Sequence, residues 1–195
     1  MMFGIRQLFR TNQPSPENQA MFLADRIIEN DEGTWLDIKK QRILTRISGN
    51  DTNIYDFGRS LLSAFADVFE ISQAAIFINE KRKNKEILTF KLGYAFSDPE
   101  DGSVEFESGE GLIGQVAADG KAMLFNSVPQ GFFTIQSGLG KSNPVSLYIF
   151  PLKNGNRVLG VIEIASFRKI TEEDVRLINH LEPMLSETVE SFTNN

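Results

Sequence analysis

Glu163 is the residue whose position most invites a chemical reading. Past the opening Arg157 it is the one charge in the strand-like run Arg157 to Phe167. A carboxylate in such a place must be paired, solvated or kept for a ligand. The rest of the chain offers little catalytic material. There is no Cys, which removes a thiolate nucleophile, thiolate metal sites, disulfides and a thioether-linked chromophore. Nucleophilic catalysis by Ser needs a neighbouring base, and the one His, His180, falls in the last helix-like segment. Paired carboxylates such as Asp98, Glu100 and Asp101 sit in a turn-rich stretch and read as solvated acids. The glycine-rich Gly109 to Gly114, GEGLIG, is followed by Gln115-Val116 and not by the Lys-Ser/Thr pair that a phosphate cradle requires. These features lead to the expectation that the chain is not an enzyme.

Composition narrows the class further. The chain has 195 residues, sixteen of them Phe, which is ample for one core plus an extension. Its net charge of −6 argues against a nucleic-acid partner. The one basic cluster, Lys81, Arg82, Lys83 and Lys85, lies between two strand-like runs and reads as a solvated hairpin turn. No apolar run approaches the roughly 18 residues of a membrane span. Met1 to Arg10 lacks the pattern of a secretory signal, so a cytoplasmic setting is expected.

Glu163 needs a strand to hold it. Val145 to Leu152 and Arg157 to Phe167 flank Asn154-Gly155, a pair that favours a hairpin because both residues tolerate positive φ. Both strands are apolar on both faces, with Leu147 and Ile149 against Tyr148 and Phe150 in the first, so the hairpin belongs in the middle of a covered sheet. Ile54, Phe57, Leu61, Leu62, Phe65 and Phe69 recur at helical spacing, with Thr52 or Asn53 as cap. Ala74 to Asn79 and Glu86 to Phe96 read as a strand pair, and Val104 with Phe106 as a short strand. A short helix follows Gly109 to Gly114, covering Gln115 to Asp119, and Met123 to Asn126 is a further strand. Ser127 to Pro144 is a long glycine-punctuated loop holding Phe132, Phe133, Ile135 and Leu139, and loops of that kind are commonly functional. Thr171 and Asp174 resemble a capping box for a last helix with Val175, Ile178, Leu181, Leu185, Val189 and Phe192 on one stripe and Pro183 inside it. Before this body, Glu17 to Asn30 and Trp35 to Ile47 read as helices of a connector, with Phe3, Ile5, Leu8 and Phe9 a short apolar face ahead of them.

Three stretches, GEGLIGQVA at Gly109 to Ala117, SVPQGFFTIQSGLGKSNPVSL at Ser127 to Leu147 and PLKNGNRVLGVIEIASF at Pro151 to Phe167, resemble GAF domains of the bacterial signalling type, those attached to sensor kinases. The resemblance runs from about Trp35 to Phe192. It implies an α+β fold, GAF/PAS-like, in which an antiparallel sheet carries the long N- and C-terminal helices on one face and a loop-covered pocket on the other. The implied organisation is a helical extension over 1–48 and a GAF domain over 49–195. The pocket residues it implies are Phe90, Phe125, Asn126, Phe133, Ile135, Ser137, Ser146, Tyr148 and Glu163. Cyclic-nucleotide-binding members carry an Asn-Lys pair after the last strand; here the region reads SFRKITEED and lacks it. Bilin-binding and methionine sulfoxide reductase members rely on Cys, which this chain does not have. No cofactor is implied, and an unidentified small molecule is left open as ligand. The implied function is a sensory module that binds a small molecule or a partner and relays the change through dimerising helices. Its partners would be a second copy of the chain and a sensor kinase or other signalling protein. The alternative is a ligand-free scaffold that works by dimerisation or docking.

Overall fold

The structure is a computed structural model and describes residues 33, 35–47, 51–96, 104–131, 135–137 and 140–193. The chain divides into two compact units, Met1–Ile38 and Lys39–Asn195. The expected helix over Glu17 to Asn30, the apolar face at Phe3 to Phe9 and the turn-rich Ser97 to Gly102 lie outside the described residues.

In order, the second unit runs through the end of helix α1 (35–47), then α2 (Ile54–Phe69), β1 (Gln73–Arg82), β2 (Lys85–Tyr94), β3 (Glu105–Glu107), α3 (Gly111–Asp119), β4 (Met123–Phe125), β5 (Ile135–Ser137), β6 (Gly140–Ser142), β7 (Ser146–Asn154), β8 (Arg157–Ser166) and α4 (Glu172–Thr193). Six strands form one antiparallel sheet in the order β3-β2-β1-β8-β7-β4. This is an α+β fold with β1 and β8 at its centre. The long loop is not structureless: β5 and β6 pair as a separate two-stranded ribbon within it.

Local chemistry explains the ends of these elements. The Asn53 side chain accepts from the backbone N–H of Tyr55 and Asp56 at 2.9 and 3.0 Å and so caps α2. Thr171 and Asp174 close a reciprocal box at α4: the Asp174 N–H donates to Thr171 Oγ1 at 3.2 Å, and the Thr171 N–H to Asp174 Oδ2 at 3.0 Å. The basic cluster is a hairpin turn, with Lys83 and Asn84 both at positive φ between β1 and β2. The β7–β8 turn sits one residue later than Asn154-Gly155 implies. Asn154 is still paired, with Arg157, and Gly155 takes φ +58°. A register shift between Leu152 and Lys153 moves the turn along. The helix after the glycine-rich stretch begins at Gly111, four residues before the expected start, and ends on Gly120 in the left-handed region.

Strand alternation then divides the sheet into two faces. On one, α2 packs against β1 and β2 and α4 against β7 and β8. Phe57 and Phe192 meet at 6.0 Å between the two helices. Phe57, Leu61, Phe65 and Phe69 of α2 and Ile178, Leu181, Leu185 and Val189 of α4 are fully or nearly fully buried. Each such side chain contributes roughly 1.5–3 kcal/mol by leaving water. On the other face, Ala75, Phe77, Leu88, Leu147, Ile149, Val161 and Ala165 meet Ile113, Val116 and Ala117 of α3 and Ile135 of β5.

Gly114 sets how closely α3 approaches the sheet. A Cβ there would stand 2.2 Å from the backbone oxygen of Glu107, at the end of β3. A backbone oxygen cannot swing aside as a flexible side chain can. Gly114→Ala is therefore expected to push α3 off β3 at a cost of about 1–3 kcal/mol. Chemical denaturation checks this, and hydrogen exchange should show lost protection over Gly111–Asp119 before the rest of the sheet.

Candidate functional site

Glu163 lies opposite Ala75 on one side and Ile149 on the other, so it shares the α3 face with them. Its side chain makes no hydrogen bond or ion pair with any described residue. Burial pushes its carboxyl up to about 7. No opposing charge lowers it, because the strands beside it present only apolar or neutral side chains.

A second polar group stands nearby. Gln73 pairs with Ala165, which puts it on the same face, and it is 8% exposed. Its Oε1 is buried without a hydrogen-bond partner. On adjacent antiparallel strands, Gln73 and Glu163 are diagonal neighbours, roughly 7 Å apart at the backbone. Sequence reasoning passed over Gln73. Its signal was available as the one amide among the apolar residues at the start of QAAIFIN.

The other expected site residues separate. Phe90 and Ile135 are on the α3 face. Phe90 stacks on Phe96 at 5.1 Å and meets Phe77 edge-on at 5.8 Å, while Ile135 is buried in the cluster. Phe125 pairs with Leu147 and so reaches the same face at its margin, where it is partly exposed. Tyr148 is a correction. It alternates with Leu147 and Ile149, lies opposite Ile164 and stacks on Phe150 at 5.3 Å, on the side of the long helices. Ser146 shares that parity, and its hydroxyl donates to the Arg168 carbonyl at 2.5 Å. Asn126 is also committed to structure: it accepts from the Ile170 N–H at 3.1 Å and donates to the Ile170 carbonyl at 2.9 Å. Both residues therefore fasten backbone and do not line a cup. Phe133 lies outside the described residues, as does the side chain of Ser137.

Two clefts open elsewhere. One, of about 390 Å³, is bounded by Asn79, Lys81, Glu86 and Arg157; the other, of about 540 Å³, by Lys153, Glu182, Glu187 and Glu190. Arg157 and Asn154 already pair with Glu190 at 2.5 and 2.6 Å, so much of the polar chemistry there is internally satisfied. His180 is exposed on α4, 2.8 Å from Lys40 Nζ. No helix among the described residues is long and apolar enough to cross a membrane.

Comparison with known proteins places this geometry. The fold resembles the GAF domain of a phosphoenolpyruvate-protein phosphotransferase from Acinetobacter, with 17% identity over 81% of this chain and 94% of that one, at a TM-score of 0.64. It resembles the A. aeolicus nlh2 GAF domain in an inactive state at 20% identity, over 82% and 98% of the two chains, with a TM-score of 0.61. It also resembles free methionine-R-sulfoxide reductase from Neisseria meningitidis in complex with its substrate, at 15% identity over 84% and 93%, with a TM-score of 0.61. That last likeness corrects the expectation that the chain is not an enzyme. The same fold carries catalysis in a neighbour, so the fold leaves an enzymatic role open. No curated protein matches the sequence. The sequence model of the GAF domain matches residues 51–184, more than half of the chain, and the protein belongs to the GAF domain family.

Proposed function

We propose that this chain is a regulatory GAF module that binds a small molecule on the α3 face and passes the change to a signalling partner. The observation that carries this reading is Glu163, a carboxylate in the middle of the sheet with no described partner. A protein gains nothing in stability from such a group, and a ligand gives it a use. The relay would run through α2 and α4, which touch each other and back the opposite face of the same strands. Coupling requires a ligand that favours one arrangement of these helices over another. A second copy of the chain is the proposed partner for them, with a sensor kinase or related protein downstream, in a cytoplasmic setting.

A filled scaffold is the second reading. It is favoured by the ring cluster of Phe77, Phe90, Phe96 and Phe106, whose centroids lie 5.1–5.8 Å apart on the proposed ligand face. A thermal-shift screen separates the two. A ligand held at about a hundred times its Kd stabilises the fold by about 3 kcal/mol, a shift of several degrees. The regulatory reading expects at least one such compound among nucleotides, amino acids, tetrapyrroles and small aromatics, with its effect lost in Glu163→Ala. Uniformly null shifts favour the scaffold. Light scattering at micromolar concentration tests the relay, and a monomer there counts against it.

A further inference from the structure

Two acceptors meet on an apolar floor, and neither has a donor. Gln73 Oε1 is buried and unpartnered, and the Glu163 carboxylate makes no contact with a described polar group. Both are on the α3 face, two residue pairs apart along the β1–β8 ladder and so on successive same-face positions. An ionised carboxylate accepts only, and an amide oxygen accepts only. Their common complement is therefore a group rich in N–H donors. An anion would meet an unscreened like charge there. A calcium ion wants six to eight oxygens, and this pair supplies at most three.

We propose that Glu163 and Gln73 form the recognition point for a small organic cation of the amidinium or guanidinium class, seated at the β4 margin of the α3 face. This rests on the reading of that face as the ligand-binding face. A planar fork donates to both acceptors at once, and its flat apolar remainder can lie toward Met123 and Phe125, the partly exposed members of the same cross-sheet rows. The fork also supplies the positive charge that the half-buried Glu163 carboxylate lacks.

The pairing has a proton cost. Burial holds Glu163 up to about 7, so near neutrality it carries a proton about half the time. A cation needs the ionised form, and binding expels that proton. The groups facing Glu163 do not blur this. Among the described residues of that face, they are Gln73 and Ala75 from β1, Leu147 and Ile149 from β7, Met123 from β4, Ile135 from β5 and Ile113 and Val116 from α3; none of these is charged. The carboxylate of α3, Asp119, is exposed and takes a hydrogen bond from Gln115 at 2.8 Å.

Calorimetric titration of the full chain with benzamidine, benzamide and benzoate, three molecules of one shape and different charge, tests the proposal. Benzamidine is expected to bind, and to bind roughly tenfold tighter at about pH 8 than at about pH 6, following the ionised fraction of Glu163. Its measured heat should vary with the ionisation heat of the buffer, which reports the released proton. Glu163→Gln should flatten the pH dependence, and Gln73→Met should weaken binding roughly tenfold while circular dichroism stays unchanged. A pH-independent affinity overturns the proposal, as does benzamidine binding that both variants keep. Preference for benzamide or benzoate, lost in Glu163→Gln, overturns the cation and leaves the face as a ligand site. No binding by any of the three at about 10 mM, a Kd weaker than any useful site, overturns the cation proposal outright. The broader ligand-face reading then stands or falls on the thermal-shift screen.

Discussion

Glu163→Gln is expected to stabilise the ligand-free fold by about 3 kcal/mol at pH 8 and by little at pH 4. The carboxyl titrates near 7 in the fold against an ordinary value of 4.5, and burial is the cause. For an acid whose folded value is raised, the unfolded chain ionises first. Below the ordinary value both states hold the proton, and the group costs nothing. As pH rises, the unfolded state is favoured progressively, and the full penalty is reached once pH has passed the folded value. At about 1.36 kcal/mol for each tenfold change in proton affinity, the rise from 4.5 to about 7 gives the stated size as an upper figure, because Glu163 is half-buried and keeps some contact with water. Glutamine keeps the shape and removes the ionisation. For a domain of this length the gain corresponds to a rise of about 6–12 °C in Tm. Denaturation of both proteins across this pH range checks it: the difference must open between about pH 5 and 8. A constant offset would mean that packing, and not charge, separates them. A residue that costs this much and remains in place is more readily explained by a ligand than by the fold.

What was legible in the sequence follows from the range of the forces involved. Thr171 and Asp174 are three residues apart, their hydrogen bonds are local, and the box forms as spaced. The stripe of α2 and the alternation of β7 and β8 depend on period alone, and both are buried as their periods imply. Alternation alone did not separate Tyr148 from Glu163. A turn at Asn154-Gly155 would pair Tyr148 with Val161 and Ser146 with Glu163, which puts all three site residues on one face; the one-residue irregularity between Leu152 and Lys153 reverses that parity and sends Tyr148 and Ser146 to the helix side. The partners of Ser146 and Asn126 could not be read from period at all. Their hydroxyl and amide are used up by Arg168 and Ile170, and such partners come from the tertiary fold. Gln73 was visible as an amide ahead of an apolar run, but its place beside Glu163 was not, since only the β1–β8 register brings the two together. The β7–β8 turn was displaced because a one-residue irregularity in a ladder leaves almost no trace in composition.

Asp174→Ala should cost about 3–5 kcal/mol at neutral pH and should loosen α2 and α4 together. Asp174 is 2% exposed at the start of α4. Its Oδ2 takes Arg168 Nη1 at 2.7 Å and the Thr171 N–H at 3.0 Å, with Lys39 Nζ 3.6 Å from Oδ1. Arg168 reaches the other way as well: its Nη2 donates to the Phe69 carbonyl at 2.6 Å, the last residue of α2. One guanidinium thus ties the C-terminal end of α2 to the N-terminal end of α4, each end meeting the charge its backbone dipole favours. Alanine removes the anion and the cap and leaves the half-buried cation with only the exposed Glu70 carboxylate, 4.0 Å away, to offset it. Burial alone would raise the Asp174 carboxyl, but the bonds from Arg168 and Thr171 outweigh it and hold the group below its ordinary 3.8. The stability it contributes is therefore present above about pH 4 and is lost as pH falls through the folded value. Asp174→Asn keeps one acceptor for the Thr171 N–H, so it should cost less than alanine and abolish that acid limb. Urea midpoints at about pH 7 and pH 3 for the three proteins decide this. If alanine costs under about 1 kcal/mol, the two helices are held by their Phe57–Phe192 packing and not by Arg168. A signal crossing the sheet would then have to move apolar contacts, where otherwise it could act by opening a single ion pair at the foot of both helices.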